Sequence, residues 1–182
     1  MPFEHLHSEI IYEGHAFSVR HEFVLLPDGN QKRYDLVGHN GSVTLVPINN
    51  KGELYFVRQY RIGAKRHLLE LPAGVLEAGE DPVTGAGREV REETGMAASQ
   101  LTKIGEFFMA PGYSDEFLTV FLATGLYPSP LEADADEFLE LEIIPFEQAM
   151  AMAEGGEIQD GKTLAALLLA KPYYNKLFGK SA

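Results

Sequence analysis

The sequence predicts an α/β sandwich, with helices on both faces of a mixed sheet, and an antiparallel β appendage at the N-terminus. Three observations lead there. Short segments rich in strand-forming residues recur from about residue 9 to residue 145. Helical segments fall between and after them rather than in one block, the pattern of layered α/β architecture. The chain has 182 residues and is 45% hydrophobic, enough for one large core with a smaller unit beside it.

The elements follow in order. Residues 9–40 alternate apolar and polar side chains around Leu26-Pro27-Asp28-Gly29-Asn30, a hairpin with a Pro-Asp-Gly turn. Residues 43–48 and 53–57 flank the turn Asn49-Asn50-Lys51-Gly52 and predict a second hairpin. A helix is expected over 81–94, capped by Asp81, with Pro82 in its first turn and Gly95 at a left-handed stop. Strands are expected at 102–109, 117–123 and 138–145, and helices at 146–154 and 162–178. Residues 1–40 are expected to form a separate β region. Its open strand edges call for a partner, and a homodimer is the expected answer.

Composition narrows the function. There is no cysteine, which excludes disulfides and thiolate chemistry and points to a reducing compartment. The N-terminal segment lacks the charge and apolar pattern of a signal peptide, and the most apolar run, 164–170, is too short to span a bilayer. A cytoplasmic protein with no membrane partner is expected. The net charge of −12, with no basic stripe, argues against nucleic acid as a partner. A small phosphate ligand stays open if cations stand between it and the carboxylates.

The stretch Arg88-Glu89-Val90-Arg91-Glu92-Glu93-Thr94-Gly95 crowds three glutamates into five positions. At helical spacing Glu89 and Glu93 stack on one face with Glu92 beside them, and each like-charged pair costs about 0.2–0.5 kcal/mol. A solvated helix face would explain the run; so would a hard divalent cation, which takes carboxylate, water and phosphate oxygens. Arg88, four residues before Glu92, can orient the row through an ion pair. Upstream stand Gly74 and Glu80, so the run completes G, five residues, E, seven residues, R-E-aliphatic-x-E-E-x-G-apolar. This resembles the Nudix box in full. The chain is therefore identified as a Nudix hydrolase, and residues 41–182 as its Nudix-type α/β/α sandwich domain.

The resemblance implies roles. Glu89, Glu92, Glu93 and the carbonyl of Ala73 are expected to hold Mg²⁺ or Mn²⁺, with Glu92 and Arg88 also counted in the catalytic group. Glu80 is expected to fix the loop to the helix. Gly85 and Gly87, inside the helix, are unfavourable by about 0.8–1.0 kcal/mol each against alanine. Flanking segments resemble the ADP-ribose and nucleoside diphosphate sugar pyrophosphatases. Leu69-Glu70-Leu71-Pro72-Ala73-Gly74 is similar to that subgroup's entry to the box, and Val57-Arg58-Gln59-Tyr60-Arg61 to a strand meeting the diphosphate. Ala110-Pro111-Gly112-Tyr113-Ser114-Asp115-Glu116 is similar to its loop past the box, with Ala110 in place of the usual serine. Arg58, Arg61, Glu70, Pro111, Gly112 and Glu116 are accordingly expected to bind substrate, with Arg61 forking onto the diphosphate.

The resemblance also implies a catalytic base in the acidic segment 131–142, Glu137 first and Glu140 second. No histidine pair near the box competes. The implied reaction is hydrolysis of a nucleoside diphosphate sugar to a nucleoside monophosphate and a sugar phosphate, ADP-ribose leading and GDP-mannose next. A coenzyme A or dinucleoside polyphosphate pyrophosphatase, or a non-catalytic nucleotide-sugar sensor, stands as the alternative.

Overall fold

A computed structural model describes residues 2–132 and 138–179. By contact the chain divides into two units: Met1–Gly41 with Phe107–Leu118, and Ser42–Glu106 with Thr119–Ala182.

In the first unit, β1 (Glu4–Glu13), β2 (Ser18–Leu25) and β3 (Gln31–Gly38) form an antiparallel sheet in that order. The expected turn closes β2 onto β3. The Leu26 amide donates to the Asn30 carbonyl at 2.8 Å, and the Asp28 carboxylate accepts from the Asn30 amide at 3.0 Å. Gly29 sits at φ 84°, a conformation that favours glycine. The hairpin gains a third strand that the sequence hid. Register shifts between His5 and His7 and between Ile10 and Tyr12 break the two-residue period of β1. The segment 110–116 belongs to this unit, where the Val37 amide donates to the Tyr113 carbonyl at 2.8 Å.

The second unit contains β4 (Ser42–Pro47), β5 (Glu53–Arg61), β6 (Arg66–Glu70), β7 (Ala73–Val75), α1 (Pro82–Thr94), β10 (Glu140–Pro145), α2 (Phe146–Glu154) and α3 (Gly161–Phe178). The long strands β8 (Met96–Phe108) and β9 (Phe117–Pro128) run from it into the first. Two sheets result, ordered β7-β4-β9-β8 and β10-β5-β6. The second hairpin therefore differs from expectation. The turn at Asn49–Gly52 forms, with the Asn49 amide bonded to the Glu53 carbonyl at 3.0 Å, but β4 and β5 part into separate sheets beyond one bridge at Ile48 and Leu54. All six residues of β4 are buried, so it needs neighbours along its length and takes β7 and β9, while β5 pairs with β6 and β10.

The core that carries the site lies between β4 and α1. Val43 and Leu45 pack with Leu76, Ala86, Val90 and Phe121, all buried. Burying each of the larger side chains contributes about 1.5–3 kcal/mol, which pins α1 to the sheet along its Ala86–Val90 stripe. The carboxylates of α1 are thereby fixed relative to β7.

Candidate active site

Helix α1 starts and stops as its sequence dictates. Asp81 accepts from the amides of Val83 at 3.1 Å and Thr84 at 3.2 Å, Pro82 fills the first helical position, and Gly95 closes the helix at φ 71°. Gly85 is required by space: a Cβ there would lie 2.5 Å from Leu76 Cδ2. Gly87 has no such neighbour, and nothing in the structure explains it.

Four residues apart, Glu89 and Glu93 both lie only 7% exposed. Carboxylates withdrawn from water this far must find partners. Glu93 Oε2 accepts from the Ala73 amide at 3.1 Å, tying the helix to the first residue of β7. Gly74 follows, and its backbone presses on Glu89: a Cβ at that position would fall 1.9 Å from Glu89 Oε1. Only glycine lets the loop come this close.

Arg88 gathers the rest of the row. Its Nη1 donates to Glu89 Oε1 at 2.7 Å and Glu92 Oε2 at 2.9 Å. Its Nε and Nη2 reach Glu80 at 3.3 and 3.1 Å, and Nη2 also reaches the Val75 carbonyl at 3.4 Å. Glu80 in turn accepts from the Glu77 amide at 3.0 Å, so it ties the loop to the helix. The Arg88 hydrogen bonds hold the Glu80 carboxyl below its usual range, and those to Glu80, ahead of the field of Glu89, keep Arg88 firmly charged. Repulsion within the acidic row is thus offset by one guanidinium.

A second charged group lies at the end of β6. Arg61 forks onto Glu70, with Nε to Oε1 at 2.8 Å and Nη2 to Oε2 at 2.7 Å. Lys162, on the first turn of α3, also reaches Glu70 Oε2 and lies 3.0 Å from Asp160 Oδ1. Glu70 is 1% exposed. Burial opposes its ionisation, but the bonds from Arg61 and Lys162 outweigh it and hold the carboxyl below the ordinary carboxylate range. Glu70 hydrogen bonds keep Arg61 charged, and Glu93 and Asp160 add to the same field. The segment 70–73 is then held at every residue. The Leu71 amide donates to Thr163 Oγ1 at 2.9 Å, and the Pro72 carbonyl accepts from the Leu45 amide at 2.8 Å.

The expected site residues are thus distributed unevenly. Ala73, Glu89, Glu92, Glu93 and Arg88 come together, with Glu70 three residues before Ala73. Arg58 pairs with Glu142 at 2.5 Å and stands opposite Glu140 in the register of β5 and β10. Arg58 and Arg61 are three positions apart, so they leave opposite faces of β5. Glu140 is exposed; Glu137 lies outside the described residues. Pro111, Gly112 and Glu116 lie in the first unit, where 110–114 turns back on the Ala110 carbonyl and the Glu116 amide donates to Ser114 Oγ at 3.1 Å.

Among the described residues, no three His, Asp or Glu side chains gather into a group that would hold a metal unaided. The donor set still fits a hard divalent cation. Two buried carboxylates flank a backbone that comes close only because residue 74 is glycine, and such an ion draws further oxygens from water and phosphate.

A model of the NUDIX domain matches residues 38–167. This chain belongs to the Nudix hydrolase family. Hydrolases of the family generally need a divalent metal ion. An ADP-ribose pyrophosphatase of Bacillus subtilis (strain 168) is 38% identical over 161 residues, spanning 87% of this Nudix chain and 87% of the relative. An ADP-ribose pyrophosphatase of Mycobacterium tuberculosis (strain ATCC 25618 / H37Rv) is 37% identical over 171 residues, 91% of this chain and 82% of that one. The crystal structure of an ADP compounds hydrolase superposes with a TM-score of 0.86 at 26% identity, covering 98% of this chain and 97% of that chain.

The sequence reading of this Nudix site missed Lys162, Asp160 and Thr163. Asp160 does cap α3 through the Thr163 amide at 2.9 Å, and the Asp-Gly-Lys-Thr run carries that signal. The contact of Lys162 with Glu70, 92 residues upstream, leaves no local trace.

Proposed function

We propose that this Nudix hydrolase cleaves the diphosphate bond of nucleoside diphosphate sugars, ADP-ribose first and GDP-mannose next, with Mg²⁺ or Mn²⁺. The observation that carries the reading is the approach of Gly74 and Ala73 to Glu89 and Glu93, which sets two buried carboxylates beside the backbone of β7. Substrate class rests on the sequence likeness to ADP-ribose pyrophosphatases.

When bound, a divalent cation would neutralise charge on the diphosphate and make a water molecule more acidic. Glu89, Glu93 and the Ala73 carbonyl would hold it, with Glu92 completing the set as Arg88 yields part of its grip. Arg61 would fork onto the diphosphate oxygens. Glu116, with Pro111 and Gly112, is assigned to the nucleotide-sugar end; Arg58, on the other face of β5 from Arg61 and paired with Glu142, is left out of the diphosphate clamp. Water attacks phosphorus and the bond to the bridging oxygen breaks, leaving a nucleoside monophosphate and a sugar phosphate. The proton of the water passes to a base in the acidic segment, with Glu137 the first choice for it and Glu140 the second. The N-terminal region, residues 1–40, is assigned to pairing with a second copy, and the enzyme to the cytoplasm.

A panel of nucleoside diphosphate sugars, coenzyme A and dinucleoside polyphosphates, assayed with and without chelator, tests this. ADP-ribose turnover is expected to vanish with chelator and return with Mg²⁺ or Mn²⁺. Glu93→Gln should stay folded and lose more than about a hundredfold, beyond the 10–100-fold typical of groups one shell further out. Unchanged turnover after chelation, or in Glu93→Gln, refutes the site.

A further inference from the structure

A clamp on the diphosphate needs the Arg61 fork, yet that fork is filled by Glu70. Glu70 is 1% exposed and cannot turn to water when Arg61 leaves it. A buried carboxylate stripped of its only counter-charge is costly, so Arg61 alone would be locked in place. It is not alone. Lys162 reaches the same carboxylate on Oε2, from a side chain only 13% exposed. Its root is equally constrained: Asp160 caps α3 beside it, and Thr163, fully buried, is bonded to the Leu71 amide.

We infer that Lys162 is a positioning residue for the diphosphate: by keeping Glu70 compensated from behind, it allows Arg61 to be shared with an incoming phosphate oxygen. The inference rests on the assignment of Arg61 to the diphosphate. Three observations support it. The Arg61 side chain is 40% exposed, so a ligand reaches it before either Glu70 or Lys162. Two cations, Arg61 and Lys162, face two anions, Glu70 and Asp160, so partial withdrawal of Arg61 leaves a cation on Glu70. Arg61 also lies within the electrostatic reach of Glu93, so a diphosphate between the two would meet both the guanidinium and the proposed metal carboxylates.

Lys162→Met keeps chain length and removes the charge. It is expected to raise KM for ADP-ribose and weaken binding of inorganic pyrophosphate in Mg²⁺, read by titration calorimetry, by about tenfold, within the usual range for coupled sites. kcat should change little, the signature of lost substrate binding. Lys162→Arg should restore both. A folded Lys162→Met protein with wild-type KM and pyrophosphate affinity, a loss in kcat alone, or no rescue by arginine overturns the inference. Should Lys162→Met fail to fold, Glu70→Gln/Lys162→Met removes the buried carboxylate together with the cation behind it, leaving Asp160 its bonds from Thr163. It should then bind pyrophosphate as Glu70→Gln does, and any further loss overturns the inference. Wild-type protein that binds pyrophosphate but leaves ADP-ribose intact would sink the substrate assignment and leave Lys162 standing. Wild-type protein that binds no pyrophosphate would sink the role of Lys162.

Discussion

Gly74→Ala isolates the claim that backbone meets carboxylate at this site. Gly74 is not among the positive-φ glycines, so the substitution brings steric demand without backbone strain. The new Cβ would lie 1.9 Å from Glu89 Oε1 and 2.0 Å from Cδ. Carbon atoms pack at about 3.5 Å or more, so the carboxyl must retreat by about 1.5 Å. What it meets is the end of a side chain, which can swing, so stability should fall only towards the low end of the ~1–3 kcal/mol typical of overpacking. Chemistry is less forgiving. A displacement of about 1 Å in a positioned group costs on the order of a hundredfold. Steady-state turnover of ADP-ribose across a Mg²⁺ titration, beside urea unfolding, is the assay. We expect turnover to fall about a hundredfold and the Mg²⁺ midpoint to rise, with the unfolding midpoint little moved. A folded variant with wild-type turnover and the wild-type Mg²⁺ midpoint would show that Glu89 does not hold the ion.

Two further outcomes test the surroundings of the site. Glu70 has a folded pKa below its unfolded one, so its ionised form stabilises the protein above the unfolded value, and that stabilisation is lost as pH falls through the folded value. Glu70→Gln should cost about 2–3 kcal/mol at neutral pH, less than the ~3–5 of a fully buried pair because Arg61 is 40% exposed and partly screened. The gap from wild type should close as pH drops through the acid range in denaturant titrations; a gap constant with pH would refute the ion pairing. Asp81→Ala removes the two amide bonds at the start of α1 and should cost about 1 kcal/mol, or about 2–4 °C in Tm, with turnover unchanged. An unaltered Tm would show that the cap contributes nothing.

The helix that carries the acidic row was legible in the sequence almost to the residue. Asp81, Pro82 and Gly95 act within a few positions of themselves, and the four-residue interval between Glu89 and Glu93 sets their shared face whatever lies around them. The spacing of Gly74, Glu80 and Arg88 likewise contained the loop clasp, because all three serve one short turn and the helix that follows. What the sequence did not carry is pairing. The parting of β4 and β5 into two sheets depends on partners far along the chain, and the turn between them looks the same either way. Arg58 and Arg61 read as two cations of one strand. Their spacing along the strand already puts them on opposite faces; tertiary structure decides what each meets, Glu142 for one and Glu70 with Lys162 for the other. Local geometry is written in intervals of three or four residues; which charge meets which is decided by the fold, since only close packing brings residues 61 and 162 to Glu70, a carboxylate too dry to stand alone.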